Sequence, residues 1–255
     1  MSQPAATTAA VTASSAAHQA LLDPARLAAV DPDAFAQTRP YPWADIEGLL
    51  TPEAFAALRA ALPEPAQMRA SFGRKRAHGQ QPHDRYALEY APDAPVADVW
   101  HGLVAELEGP VYSEWLAGML GTRHFHLTYH WHYTPRGCSV SPHCDARRKL
   151  GSHIFYFNTA DDWRPEWGGQ TLILDDHGRF KRNSAPDFGD FPQRWSAPCL
   201  GNRSLLFRRQ GNSWHGVEPI DCPEGDYMRK VFIVVINSSG LMGRLGRLWQ
   251  QRRSR

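Results

Sequence analysis

The chain has 255 residues, 42% of them hydrophobic and 21% charged, which is enough for one large domain with its own core. A net charge of +2 argues against a protein that grips nucleic acid through bulk charge, so no nucleic-acid partner is expected. No apolar run approaches the roughly 20 residues of a membrane-spanning helix. The four cysteines, Cys138, Cys144, Cys199 and Cys222, form no CxxC pair. That argues against a structural zinc site and fits a reducing, cytoplasmic setting.

The start, MSQPAATTAAVTASSAAHQ, is rich in Ala, Ser and Thr. It lacks the basic and apolar regions of a signal peptide, and residues 1–20 read as a disordered lead-in. A helix-rich region over 21–122 follows, expected to pack on a barrel. In TPEAFAALRAALPEP, Thr51 is a good N-cap and Pro52 suits the first turn. Phe55, Leu58 and Leu62 recur at helical spacing until Pro63 and Pro65 stop the helix. A second helical region runs through VADVWHGLVAELEGPVYSEWLAGML to Gly121.

From about 123 the period changes to two. HFHLTYHWHY puts His124, His126, Thr128, His130 and His132 on one face of a strand, and Phe125, Leu127, Tyr129, Trp131 and Tyr133 on the other. Further strands are expected in SHIFYFN, GQTLILDD, GNRSLLFRR and RKVFIVVIN, separated by turn-rich segments. Regular helices do not alternate with them, so an antiparallel sandwich or barrel is expected over 123–240. HGRFKRNSAPDFGDFPQRWSAPCLG is expected to be a long loop. The tail over 241–255 sets Leu241, Leu245, Leu248 and Trp249 among five arginines, as a basic amphipathic helix would. It suits either docking on the outer sheet or peripheral contact with an anionic membrane.

The strand histidines are poor candidates for a shared ion. Same-face neighbours are about 6.6 Å apart along a strand, so four cannot surround one metal. They read as a polar outer face covered by helices. His143 and Asp145 differ: in SPHCD they lie two apart after a turn and share a face if the segment is extended. His215, in GNSWHGV, follows the strand GNRSLLF and a short turn. Two His and one carboxylate form the facial triad of non-heme Fe(II) oxygenases, which leaves open positions for oxygen chemistry. Arg229 then begins an apolar strand, where an inward charge needs a partner. A guanidinium can bind a carboxylate through two parallel hydrogen bonds.

Over roughly 123–237 the sequence resembles the Fe(II)/2-oxoglutarate-dependent oxygenases, in their prolyl-hydroxylase-like branch. The ordered set YTPRG, HCD, FYFN, WGG, WHGVEP and RKVFIVV carries the resemblance. It implies a mainly β fold, a double-stranded β-helix or jelly roll, flanked by N-terminal helices. It implies His143, Asp145 and His215 as iron ligands and Arg229 as the clamp on 2-oxoglutarate, with Tyr133 and Tyr156 lining the cosubstrate pocket. The segment IDCPEGDY lengthens the approach to Arg229, and a shifted register would hand the clamp to Lys230. Asp145 disfavours a halogenase, which lacks that carboxylate. The implied cofactors are Fe(II), 2-oxoglutarate and O2, with ascorbate as an accessory. The implied activity is hydroxylation of a protein side chain, such as proline, or of a small molecule, with release of succinate and CO2.

Two other classes share parts of this pattern: a non-enzymatic sensor of iron and 2-oxoglutarate, and a cupin-like metal-binding protein without 2-oxoglutarate. The basic segments RASFGRKR at 69–76 and RRK at 147–149 leave two readings open for the substrate. They are either solvated loops or a mouth that recruits an anionic substrate.

Overall fold

The computed structural model describes residues 20–239. The lead-in up to residue 19 and the basic tail over 241–255 lie outside them. In chain order the helices and strands are α1 (Pro24–Ala28), α2 (Pro32–Gln37), β1 (Trp43–Glu47), α3 (Pro52–Ala60), β2 (Arg69–Ser71), β3 (Arg85–Glu89), α4 (Asp98–Glu108), α5 (Pro110–Leu120), β4 (Phe125–Pro135), β5 (Val140–His143), β6 (Lys149–Tyr156), β7 (Thr171–Asp175), β8 (Gln193–Ala197), β9 (Arg203–Arg208), β10 (Trp214–Val217) and β11 (Met228–Ser238). Among the described residues, no helix is long and apolar enough to cross a membrane.

The strands form two antiparallel sheets. One has seven strands in the order β1-β9-β6-β11-β4-β3-β2, and the other has four in the order β5-β10-β7-β8. This is the jelly roll, a mainly β fold flanked by N-terminal helices. β1, β2 and β3 come from the half of the chain expected to be helix-rich, and they extend the large sheet at both ends. They are short, and none carries a clean alternation.

The N-terminal helices cover the outer face of the large sheet. Leu58, Trp100, Leu103, Leu107, Tyr112 and Leu116 pack against Tyr129, Trp131, Phe155, Leu206, Phe232 and Val234 in one buried cluster. Thr51 caps α3 as expected, its Oγ accepting the Ala54 N–H at 3.2 Å. The second helical region is two helices. Pro110 has no N–H to continue the first, so Gly109 ends α4 and caps α5. Gly121 closes α5 in the left-handed conformation at φ 68°.

A second cluster fills the space between the sheets, with Ile154, Tyr156, Ile173, Leu205, Phe207, Val217 and Val231 at its centre. The expected long loop contains a strand. β8 pairs with β7 from Thr171↔Ala197 to Asp175↔Gln193 and completes the small sheet. Its sequence, QRWSA, is polar because only Ala197 of the five is buried, and a polar edge strand carries little hydrophobic signal.

The histidine strand faces opposite to expectation. The helices cover the aromatic face of β4. His130, His132 and Thr134 pair with Ile233, Val231 and Arg229 of β11 and so point between the sheets. Burying Tyr129, Trp131 and Tyr133 under the helices removes far more apolar area from water than burying imidazoles would.

Candidate active site

The site lies between the sheets. β5 and β10 are antiparallel neighbours with His215 directly opposite His143. Their ring centroids are 4.3 Å apart. Asp145 follows β5 by two residues, on the same side as His143. The ligand atoms of His143, Asp145 and His215 all lie within 4.8 Å of one another, a spacing that could hold a metal ion. Gly216 permits this approach, since a Cβ there would sit 2.7 Å from the Val140 carbonyl oxygen across the pair.

The protonation of the trio suits metal binding. The Nδ1 of His143 lies 2.9 Å from the Ser141 carbonyl oxygen, and the Nδ1 of His215 lies 3.0 Å from that of Ser213. A carbonyl only accepts, so each Nδ1 carries the hydrogen and each Nε2 keeps its lone pair. Burial lowers both imidazole pKa values, and for His143 the neighbouring His215 and His83 add to it. Both rings are therefore neutral near pH 7. Burial pushes the Asp145 carboxyl up, but the Lys149 ammonium, hydrogen-bonded to it, outweighs burial and holds the group well below the usual carboxylate range. Lys149 Nζ donates to Asp145 Oδ1 at 2.7 Å, and the Ser152 hydroxyl donates to Oδ2 at 3.4 Å.

A cavity of about 160 Å³ is lined by all three residues and also by Arg229, Thr171, Thr134 and His132. Arg229 is 5% exposed and forms no ion pair among the described residues. Its Nε donates to the Gly169 carbonyl at 2.5 Å and its Nη2 to the Thr171 hydroxyl at 3.1 Å. The guanidinium carbon lies 5.4 Å from the Tyr156 ring centroid. A buried cation with only neutral partners is costly unless an anion joins it. Asn158 brackets this residue: its Nδ2 donates to the Met228 carbonyl at 3.0 Å and its Oδ1 accepts the Lys230 N–H at 2.6 Å. Gly168 and Gly169 both have positive φ, 83° and 93°, and bring the backbone against Arg229.

Three sequence expectations resolve here. Lys230 points to the opposite face of β11 from Arg229, with its Nζ 3.4 Å from Asp162. It cannot replace Arg229 in the cavity, so IDCPEGDY does not shift the register. Tyr156 lies beside Arg229 but is not among the residues that line the cavity. Burial raises its phenol pKa to about 12, and its hydroxyl donates to Thr171 at 2.7 Å. Tyr133 does not line the pocket. It belongs to the aromatic face of β4, and its hydroxyl donates to the Pro63 carbonyl at 2.9 Å under the helices.

Sequence reasoning missed His83 and Arg85. The His83 ring centroid is 4.5 Å from that of His143. Burial lowers its pKa to about 3, with Arg76 and Arg85 contributing. QQPHDRY offers no spacing motif, and a backbone bridge from His83 to Val140 of β5, next to the pairing of β3 with β4, brings it to the site.

Residues 127–236 match the family model described as the 2OG-Fe(II) oxygenase superfamily. No curated protein matches the chain in sequence. Among solved structures, the fold is similar to a prolyl-4-hydroxylase of Pseudomonas putida, at 17% identity and a TM-score of 0.58, covering 83% of this chain and 98% of that one. It is similar to a prolyl hydroxylase of Trichoplax adhaerens in complex with a hypoxia inducible factor peptide fragment, at 13% identity and a TM-score of 0.53, covering 77% and 83%. It is also similar to the non-heme alpha ketoglutarate dependent epimerase SnoN from nogalamycin biosynthesis, at 16% identity and a TM-score of 0.53, covering 85% and 84%. The match places residues 127–236 in the 2OG-Fe(II) oxygenase superfamily. The protein is a 2-oxoglutarate-dependent dioxygenase, whose cofactors are Fe(II), 2-oxoglutarate and O2.

Proposed function

We propose that the chain hydroxylates a C–H bond of its substrate, with His143, Asp145 and His215 holding Fe(II) and Arg229 holding the far carboxylate of 2-oxoglutarate. The observation that carries this reading is the convergence of three ligand atoms within 4.8 Å, with both imidazole Nδ1 atoms already committed to backbone carbonyls. Two neutral nitrogens and one carboxylate suit a divalent ion and leave coordination positions free. When bound, Fe(II) and 2-oxoglutarate supply the oxidising chemistry: one oxygen atom of O2 goes to the substrate carbon, and the other to succinate as CO2 leaves.

The protein's residues orient and shield the reactants. Arg229 presents a fixed fork to a carboxylate, and Thr171 stands beside it as a second hydrogen-bonding group. Ile233, Val235, Phe207 and Val217 line the same cavity and keep it poor in water. Lys149 and Ser152 hold the Asp145 carboxylate in place.

Anaerobic calorimetry with Mn(II) in place of Fe(II) tests the assignment. One Mn(II) should bind per chain, and 2-oxoglutarate should bind tightly only after it. His215→Ala should lose the metal. Arg229→Ala should keep the metal and lose 2-oxoglutarate. Unchanged Mn(II) affinity in His215→Ala would overturn the ligand set.

A further inference from the structure

The two basic segments of the sequence meet at the mouth of the site. A second cavity, of about 380 Å³, is lined by Arg74 and Arg76 from the loop after β2, Arg85 of β3, and Arg148 and Lys149 before and at the start of β6. His83, Arg85, His143, Asp145 and Lys149 line both cavities, so the mouth leads directly onto the proposed metal site.

These cations are poorly neutralised. Lys149 is paired with Asp145. Among the described residues, Arg74, Arg76, Arg85 and Arg148 form no ion pair with a carboxylate. The nearby Asp84 accepts the Gly73 N–H through Oδ1 at 2.8 Å. Arg76 donates to the neutral ring of His83. Arg85 donates through Nη1 to the His83 carbonyl at 3.0 Å, and its Nε is buried with no hydrogen-bond partner. Burial and mutual repulsion lower the pKa of Arg76, and burial and Arg69 lower that of Arg85. Asp145 and Asp84 offset this only in part, and half-buried guanidinium groups with no directly paired carboxylate are unfavourable on their own. An arginine fork with a free N–H is suited to a planar or tetrahedral oxyanion.

We infer that the substrate carries a compact oxyanion, a phosphate or a carboxylate, which Arg76 and Arg85 hold in this mouth while the carbon to be oxidised reaches the His143–Asp145–His215 site. The inference deepens the proposed function and rests on it for the position of the metal. It assigns the mouth arginines to substrate and leaves 2-oxoglutarate to Arg229. The oxyanion fixes one end of the substrate, and the distance from the mouth to the triad selects which carbon is presented.

The test uses the full chain loaded anaerobically with Mn(II) and saturating 2-oxoglutarate, so that Arg229 is occupied. Phenyl phosphate, benzoate and the neutral benzyl alcohol are titrated by calorimetry. At least one anion should bind tenfold or more tightly than the alcohol, and the tighter of the two names the group. Arg85→Gln should weaken that anion tenfold or more, while Mn(II) and 2-oxoglutarate affinities hold. Arg76→Gln, in a loop, should do the same if the strand variant folds poorly. Neither anion binding better than benzyl alcohol would overturn the inference, as would anion affinity unchanged in both variants. If Mn(II) or 2-oxoglutarate fails to bind, the proposed function fails by itself. The same titrations on the metal-free chain then still decide the role of the arginines.

Discussion

His143 and His215 stand opposite each other in antiparallel register, ring centroids 4.3 Å apart, and each places its Nδ1 against the carbonyl two residues before it. Neither ring can turn without giving up that hydrogen bond. The pair is thus preset, before any ion arrives, with both Nε2 lone pairs on the same side as Asp145. Replacing either histidine by alanine should cut Mn(II) affinity by about a hundredfold or more, since one of the three proposed ligands is lost. The folded state should persist, as circular dichroism of the metal-free variants would check.

Arg229 and Lys230 are adjacent cations on opposite faces of β11. Arg229→Lys should weaken 2-oxoglutarate about tenfold or more, because an ammonium cannot reproduce the planar fork held by Gly169 and Thr171. Lys230→Ala should leave 2-oxoglutarate affinity within about twofold, since Lys230 faces Asp162 outside the cavity. Calorimetric titration of 2-oxoglutarate into the Mn(II)-loaded variants measures both.

Gly169 is set at φ 93°, and a Cβ there would lie 3.3 Å from Arg229 Cδ. Gly169→Ala should therefore destabilise the fold by about 1–2 kcal/mol through backbone strain. It should also weaken 2-oxoglutarate while metal affinity stays, because the Gly169 carbonyl that orients the guanidinium moves. Thermal unfolding and paired titrations of Mn(II) and 2-oxoglutarate separate the two effects.

His153 is fully buried between the Tyr112 hydroxyl at 2.8 Å and the Ser204 hydroxyl at 2.9 Å. Burial lowers its pKa from 6.5 to about 3. The unfolded chain takes up this proton near pH 6.5 and the folded chain does not. Stability is therefore full above pH 6.5 and declines as pH falls toward 3, by about 1.4 kcal/mol per pH unit for this group. Between pH 7 and pH 5 the loss from His153 is about 2 kcal/mol. His153→Gln should flatten the stability profile by about that amount, as denaturant unfolding at the two pH values would reveal.

Much of this site was legible because its residues obey local rules. HCD places the two proposed ligands on one face by alternation alone. RKVFIVV separates Arg229 from Lys230 by the same period of two. FYFN and WGG flag Asn158 and Gly169, although only the structure gives their hydrogen bonds. Tyr133 was misplaced because alternation sorts residues into two faces without saying which face is inside. The contest between aromatic and imidazole faces on β4 was decided by the helices that needed an apolar partner. His83 and Arg85 were invisible because their placement depends on non-local contacts, the bridge of His83 to Val140 and the pairing of β3 with β4. β8 was missed because an edge strand buried on little of its surface has no hydrophobic signature.

The most direct test of the central claim is anaerobic addition of Fe(II) and 2-oxoglutarate while the visible metal-to-ligand charge-transfer band is followed, in the wild type and in Asp145→Ala. The account predicts a band in the wild type and none in the variant, because the band requires iron held by the three ligands and chelated by the keto acid. The absence of a band in iron-replete wild type, or an equal band in Asp145→Ala, would contradict it.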